Sequence, residues 1–390
     1  MKNSGRIIVW GLLAALPFPG TMWHRLQYLA GLKRLGFDVW YVEDSNRTLM
    51  DPVTLSKTLD YAPSVEYLER HMRMIGMQDR WVFRPPGQYE ECVGALGFSG
   101  LQRLYGEVDV VINHSGAQEL LPHHANIKRL IYLETDPVVN QVAAASGNQW
   151  INEQLGAHDH LLTYATNLGN SDCRLPTGEF AWIPTRPAIC VDWWMTETVP
   201  RDPLTLTTIT TWRHSGKDVI WNGEAWRWSK HHEFLSFLAL PQKAALPLEL
   251  AVAGIMDEEL GLLGRHGWRT VAAAELSTTE SYRNYIWGSA GEFTVSKEQY
   301  VAPRSGWFSD RSASYLASGR PVITQDTGFG CDLPIGAGLF AFTTEEHALT
   351  AINNIASDYE SQARSAQEIA LEYFSAERVL THAFSAIGLM

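Results

Sequence analysis

Apolar residues along the chain fall into short runs, each ending in a polar tip and most followed by a segment of helical spacing. Residues 6–13 (RIIVWGLL) read as a buried strand, followed by the loop Pro17-Phe18-Pro19-Gly20-Thr21. The spacing of Leu26, Leu29, Ala30 and Leu32 predicts a helix from about residue 22 to 35, closed by Gly36. Residues 37–42 give the next strand, ending in Glu43-Asp44 and completing a βαβ unit. That unit lacks the GxGxxG fingerprint, which weakens any dinucleotide reading. Residues 53–79 have helical character. Further strands are expected at 108–113, ending in His114-Ser115-Gly116, at 129–133, ending in Glu134-Thr135-Asp136-Pro137, and at 161–164, ending in Ala165-Thr166-Asn167. This is the pattern of a doubly wound sheet with ligand groups along one edge.

A proline-punctuated stretch at 182–187 leads to a polar segment at 196–203, where an interdomain linker is expected. A second series then begins. Residues 204–211 (LTLTTITT) alternate and end in Trp212-Arg213-His214-Ser215-Gly216-Lys217. An aromatic insertion at 218–228, a helix from Ser229-Lys230 to Leu240, strands at 248–253 and 268–271, and a helix at 278–287 follow. Residues 288–296 read as a polar stretch rich in glutamate and serine. The segment DRSASYLAS (310–318) is helical in spacing, Gly319 ends it, and Pro321 opens the apolar run Val322-Ile323, which leads into the loop Gln325-Asp326-Thr327-Gly328. A strand at 339–342 and helices at 344–357 and 360–387 complete the chain. The fold class is therefore α/β, with two Rossmann-like domains facing a cleft. The expected boundaries are 1–190, 203–362 and a C-terminal helical segment, 363–390.

Composition narrows the partners. A length of 390 residues suits two domains, and a net charge of −12 without any basic tract argues against a nucleic-acid backbone as a main partner. The four cysteines are widely spaced with no CxxC, which fits unpaired thiols in a reducing, cytoplasmic setting and disfavours a zinc site. Lys2 and Arg6 followed by an apolar run mimic a signal peptide. No small-residue cleavage site follows, however, and the run continues into a strand–loop–helix–strand pattern. No stretch reaches the roughly 20 apolar residues that span a bilayer. Among the 15 tryptophans, Trp212, Trp221, Trp226, Trp228 and Trp307 lie in polar loops, as packing residues or as platforms for sugars and bases.

Arg304, Ser305, Gly306, Ser309, Asp310 and Arg311 crowd the start of the 310–318 helix. A solvated connection is the commoner meaning of such a cluster. The density of charge and hydroxyls favours a binding site here. On the other domain, His24 follows a glycine loop, and a histidine titrating near neutrality can accept a proton. The pairs His123-His124 and His231-His232 lack metal-site spacing.

The segment Leu316-Ala317-Ser318-Gly319-Arg320-Pro321-Val322-Ile323 resembles the helix end and strand in the donor domain of GT-B fold glycosyltransferases. The likeness covers most of the chain by architecture and residues 285–330 by motif. It implies transfer of a sugar from a nucleoside-diphosphate sugar to an unidentified acceptor, with no bound metal or other cofactor. It also implies a C-terminal helix crossing back to the first domain, which would brace the cleft. By resemblance, Arg213 and Lys230 would hold the diphosphate, with Lys217, Arg304 and Arg311 as further candidates. Asp326, Thr327 and Gly328 would face the sugar or phosphate. Retaining members carry an acidic residue five positions before the glycine, where this chain has Ser314, so Asp310 or Glu292 would take the ribose. His24 occupies the place of the general base in inverting members. His114, Glu134 and Asp136 are alternatives, and Gly20, His114 and Ser115 fall on the acceptor side. A nucleotide-sugar 2-epimerase of the same fold and a non-catalytic nucleotide- or sugar-binding protein are the competing readings.

Overall fold

The computed structural model describes residues 5–88 and 90–390. Lys2, part of the signal-like pattern, lies outside them, whereas Arg6 opens a buried strand and pairs with Asp38 and Glu107. Among the described residues no helix is long and apolar enough to cross a membrane, and all four cysteines are free.

The first half forms an eight-stranded sheet. Its spatial order is Trp182–Pro184, His160–Thr163, Leu130–Glu134, Val110–His114, Arg6–Trp10, Asp38–Glu43, Trp81–Phe83 and Val93–Gly94. Every neighbouring pair is parallel except the last. The second half forms a six-stranded parallel sheet in the order Arg269–Ala272, Leu248–Ala253, Leu206–Thr211, Gly291–Thr294, Val322–Gln325 and Leu339–Phe342. Each sheet has its own apolar core, as two Rossmann-like domains require. Their carboxyl edges face each other across a cleft.

Several elements depart from the sequence pattern for identifiable reasons. The first helix, Pro19–Arg34, begins earlier than its apolar spacing suggests, because Pro19 sits in the first turn, where its missing N–H costs nothing. It is buried along almost its whole length. The sheet covers one side, while the helix Ala376–Ala386 presses on another at Gly31, where a Cβ would meet Leu380 and Ala376 at 2.7 and 2.8 Å. The polar-looking stretch at 288–296 contains the strand Gly291–Thr294, central in its sheet. The proline-punctuated 182–184 is an edge strand, the place where a sheet accepts proline. The 53–79 helix is confined to Ala62–Met74. The last helix is interrupted at residues 370–375, where Ile189 donates to the carbonyl of Phe374 and Ala376 donates to that of Ile189.

Candidate functional site

The loop leaving Gly291–Thr294 closes one side of the cleft. Asn167 N–H donates to the carbonyl of Ser305 at 3.1 Å, Thr166 Oγ1 to that of Gly306 at 2.9 Å, and Trp307 Nε1 to that of Thr135 at 2.9 Å. Gly306 has φ +81°, and a Cβ there would lie 2.3 Å from the Asn167 nitrogen, so both conformation and clearance demand glycine. Arg304 is held at φ 52°, with its guanidinium between Asp172 and Asp326. Ser305 and Gly306 thus serve the domain contact. Ser309 caps the helix Asp310–Ala317 by accepting from Arg311 N–H. Asp326 accepts from Gly328 N–H, and Thr327 donates to the carbonyl of Trp307. These residues form the frame of the cleft.

Behind that frame lies a group of cations. Arg311 makes a buried ion pair with Glu292 at 2.6 Å and donates to the carbonyl of Ile209 and the hydroxyl of Thr294. Glu292 also accepts from Thr208 and is fully buried. Lys230 is 7% exposed, and among the described residues its ammonium has no hydrogen-bond acceptor. Burial pushes its pKa well below the ordinary lysine value, and Arg311 and Lys297 push it further, against Glu292 and Asp136. Lys297 donates to Asp136 at 3.2 Å and stands 3.0 Å from the centroid of the Trp228 ring. Burial lowers it to about 8 in spite of Asp136. Asp136 in turn is brought to about 2, burial being outweighed by Lys297, Tyr300 and Lys217. Lys217 approaches the other side of this group, 4.5 Å from the Trp228 ring centre. Arg213 is occupied, bound to Glu259 at 2.6 Å and to His231 at 3.0 Å.

Facing the cations, the first domain presents His24 in the first turns of its buried helix. Nε2 of His24 meets the Tyr164 hydroxyl at 2.8 Å, and the His114 ring packs edge-on at 4.8 Å. Burial lowers the pKa of His24, while the carboxylate of Asp310, across the cleft, raises it. The carboxylate of Asp310 accepts no hydrogen bond from any described residue, while its backbone carbonyl accepts from Ser314 Oγ at 2.9 Å. His114 is buried with Nε2 unpartnered. Gly20 lies against the Tyr282 hydroxyl of the second domain. Ser115, at φ 61°, bonds Thr135 at 2.7 Å, and Val138 is held at φ 93°, a conformation a β-branched residue adopts only when its surroundings enforce it.

Glu134 ends its strand at the floor of a cavity of about 360 Å³. It accepts from Thr163, Gln141 and Asn140, yet burial prevails and its pKa rises to about 7.

The sequence-selected residues thus separate into a frame (Arg304, Ser305, Gly306, Ser309, Asp326, Thr327, Gly328), a cationic wall (Lys217, Lys230, Arg311) and a facing edge (Gly20, His24, His114, Ser115, Glu134, Asp136). Lys297 and Tyr300 were missed. Their signal was the strand at 291–294, which places SKEQY at a carboxyl tip. Asp44, His123 and His124 also meet, with ligand atoms within 4.8 Å of one another. There, Nδ1 of His124 accepts from Leu121 N–H, so Nε2 carries the proton given to Asp44, which also receives Arg84. That arrangement satisfies a buried carboxylate with donors.

No protein-family model matches the sequence, and no curated protein matches it. Solved structures do match over nearly the whole chain. AviGT4, a glycosyltransferase involved in avilamycin A biosynthesis, aligns at 12% identity with TM-score 0.52, covering 98% of this chain and 96% of that one. An alpha-glucosyltransferase in complex with UDP aligns at 9% identity with TM-score 0.60, covering 98% and 100%. Anabaena HepE in complex with UDP-glucose aligns at 11% identity with TM-score 0.59, covering 99% and 100%. The chain has the GT-B fold that these structures share.

Proposed function

We propose that the protein is a glycosyltransferase that moves a sugar from a nucleoside-diphosphate sugar to an acceptor hydroxyl without a bound metal. The observation that carries this reading is Lys230, a mostly buried side chain whose ammonium is crowded by other cations and has no acceptor among the described residues. A buried charge without a partner is costly, and a diphosphate placed between Lys230, Lys297 and Lys217 supplies the missing negative charge. The same cations gain most as the bond to the leaving group breaks and its charge grows. UDP is the first nucleotide to test, because two of the similar structures hold UDP or UDP-glucose.

In the proposed step the acceptor oxygen bonds to the anomeric carbon of the donor sugar. The bond from that carbon to the diphosphate breaks, its electron pair leaves with the nucleoside diphosphate, and the hydroxyl proton passes to a base. His24, kept neutral by burial and facing Asp310, is suited to that proton, with Asp310 stabilising the imidazolium that forms. Residues 1–190 would carry the acceptor, 203–362 the donor, and 363–390 the brace between them.

The test is thermal stabilisation by UDP, GDP and ADP, followed by nucleotide release from the matching sugar conjugate. A ligand at a hundred times its Kd adds about 2.7 kcal/mol. No stabilisation by any of the three would sink the donor site. His24→Gln should lower turnover by roughly 10²–10⁴ while leaving nucleotide affinity intact. Unchanged turnover would remove His24 from the chemistry.

A further inference from the structure

We infer that the Glu134 cavity binds a neutral, polyhydroxylated sugar unit as the acceptor, an assignment that rests on the transferase reading above. The cavity, about 360 Å³, falls within the roughly 300–1,000 Å³ of small-molecule sites. It adjoins the cationic wall, since Lys217 lines it and Asp136, also on its lining, pairs with Lys297.

Its chemistry is specific. Trp150 stands at the rim and is 51% exposed although the helix that carries it, Gln149–Gly156, is anchored by Leu155. An indole face presented to solvent beside a polar hollow suits the C–H face of a pyranose. The wall is built from planar amides and carboxylates, the groups that pair with neighbouring hydroxyls as donor and acceptor together. Gln118 is buried there, and its side-chain oxygen has no donor among the described residues, while its nitrogen donates to the carbonyl of Glu119 at 2.7 Å. A ligand hydroxyl is the donor that oxygen lacks. Gly116 keeps the space open, because a Cβ there would meet the Tyr132 hydroxyl at 2.5 Å. Glu134 is pushed towards neutrality, and Glu119 and Asp136 match Arg47 and Lys217 in number on the lining, so the cavity has no surplus of positive charge to draw a polyanionic acceptor.

Saturation-transfer NMR tests this with the intact chain, with and without UDP, against maltotriose, cellotriose and chitotriose. A short duplex DNA and a dodecyl maltoside micelle serve as competing classes. The expected result is transfer to the sugar rings of at least one trisaccharide. Trp150→Ala should weaken it roughly tenfold and Trp150→Phe far less, with UDP affinity the same in both variants. Retained UDP binding also reports that the variants are folded. Transfer to no trisaccharide, equal affinity in Trp150→Ala, or binding confined to DNA or to the detergent tail would overturn the assignment. Sugar binding that depends on Trp150 in a protein that ignores UDP would uphold the sugar site and overturn the transferase reading.

Discussion

The two edges of the cleft use opposite electrostatics. On the second domain, Lys230, Lys297 and Arg311 are gathered where burial and mutual repulsion depress the two lysines. On the first domain, the corresponding floor is Glu134, a carboxyl pushed towards neutrality and surrounded by amides and hydroxyls. One edge gathers positive charge, and the other has a floor that is close to neutral. The contrast extends into the cationic edge itself. Arg311 has Glu292, and Arg304 has Asp172 and Asp326, whereas Lys230 has no acceptor among the described residues. Arg311 and Arg304, each with carboxylates of its own, hold the fold, whereas Lys297 shares Asp136 with the Tyr300 hydroxyl. A cation without a carboxylate is available to a ligand.

That distinction can be broken by substitution. Arg311→Ala should have the largest effect, because it strands the buried Glu292. Urea unfolding is expected to show a loss of about 3–5 kcal/mol, and a loss under about 1 kcal/mol would mean that the pair is not structural. Lys230→Met comes next and moves two observables in opposite senses. Isothermal titration should show UDP affinity falling roughly 10–100-fold, since bonds to charged groups contribute about 1.5–3 kcal/mol. The melting temperature should hold or rise, because an unpaired buried ammonium has been removed. A drop in both would make Lys230 a structural residue like Arg311.

Lys297 gives the pH test. Its folded pKa, about 8, is below the ordinary lysine value, so its ammonium is lost as pH rises through that point. UDP affinity should therefore weaken about fivefold between about pH 7 and about pH 9, and Lys297→Gln should flatten the profile. The same shift has a stability sign. The cost of holding the charged form buried is present below about pH 8 and fades above it, as the folded protein releases its proton before the unfolded chain does. Arg304→Ala should have the smallest effect, less than about 1 kcal/mol on stability for a half-exposed pair and UDP affinity within about twofold.

Most strands and their polar tips were legible because buried parallel strands write themselves as apolar runs. The strand Gly291–Thr294 was not, because Glu292 lies in its centre. Its charge is made tolerable by Arg311, from a helix nineteen residues away in sequence, and no local pattern announces that pairing. The consequence reached the site, since reading 288–296 only as a polar stretch hid Lys297 and Tyr300 at a strand tip. Conversely, Arg304, Ser305 and Gly306 have the composition of a ligand loop, and the partners that occupy them, Thr166, Asn167 and Asp172, come from the other domain. The aromatic insertion was visible but its shape was not. It is a hairpin, Val219–Trp221 with Glu224–Trp226, turned at Asn222-Gly223, where both residues have positive φ. Its Trp226 and the following Trp228 are packed into the domain contact.

The two stretches of chain that pass between the domains are joined where Ile189 meets Phe374 and Ala376. Two straps riveted together at one place make a pin. A swing about that pin would have to part the bonds of Asn167 with Ser305, Trp307 with Thr135 and Lys297 with Asp136, so these contacts between the edges, and not the pin, set what opening the cleft would cost.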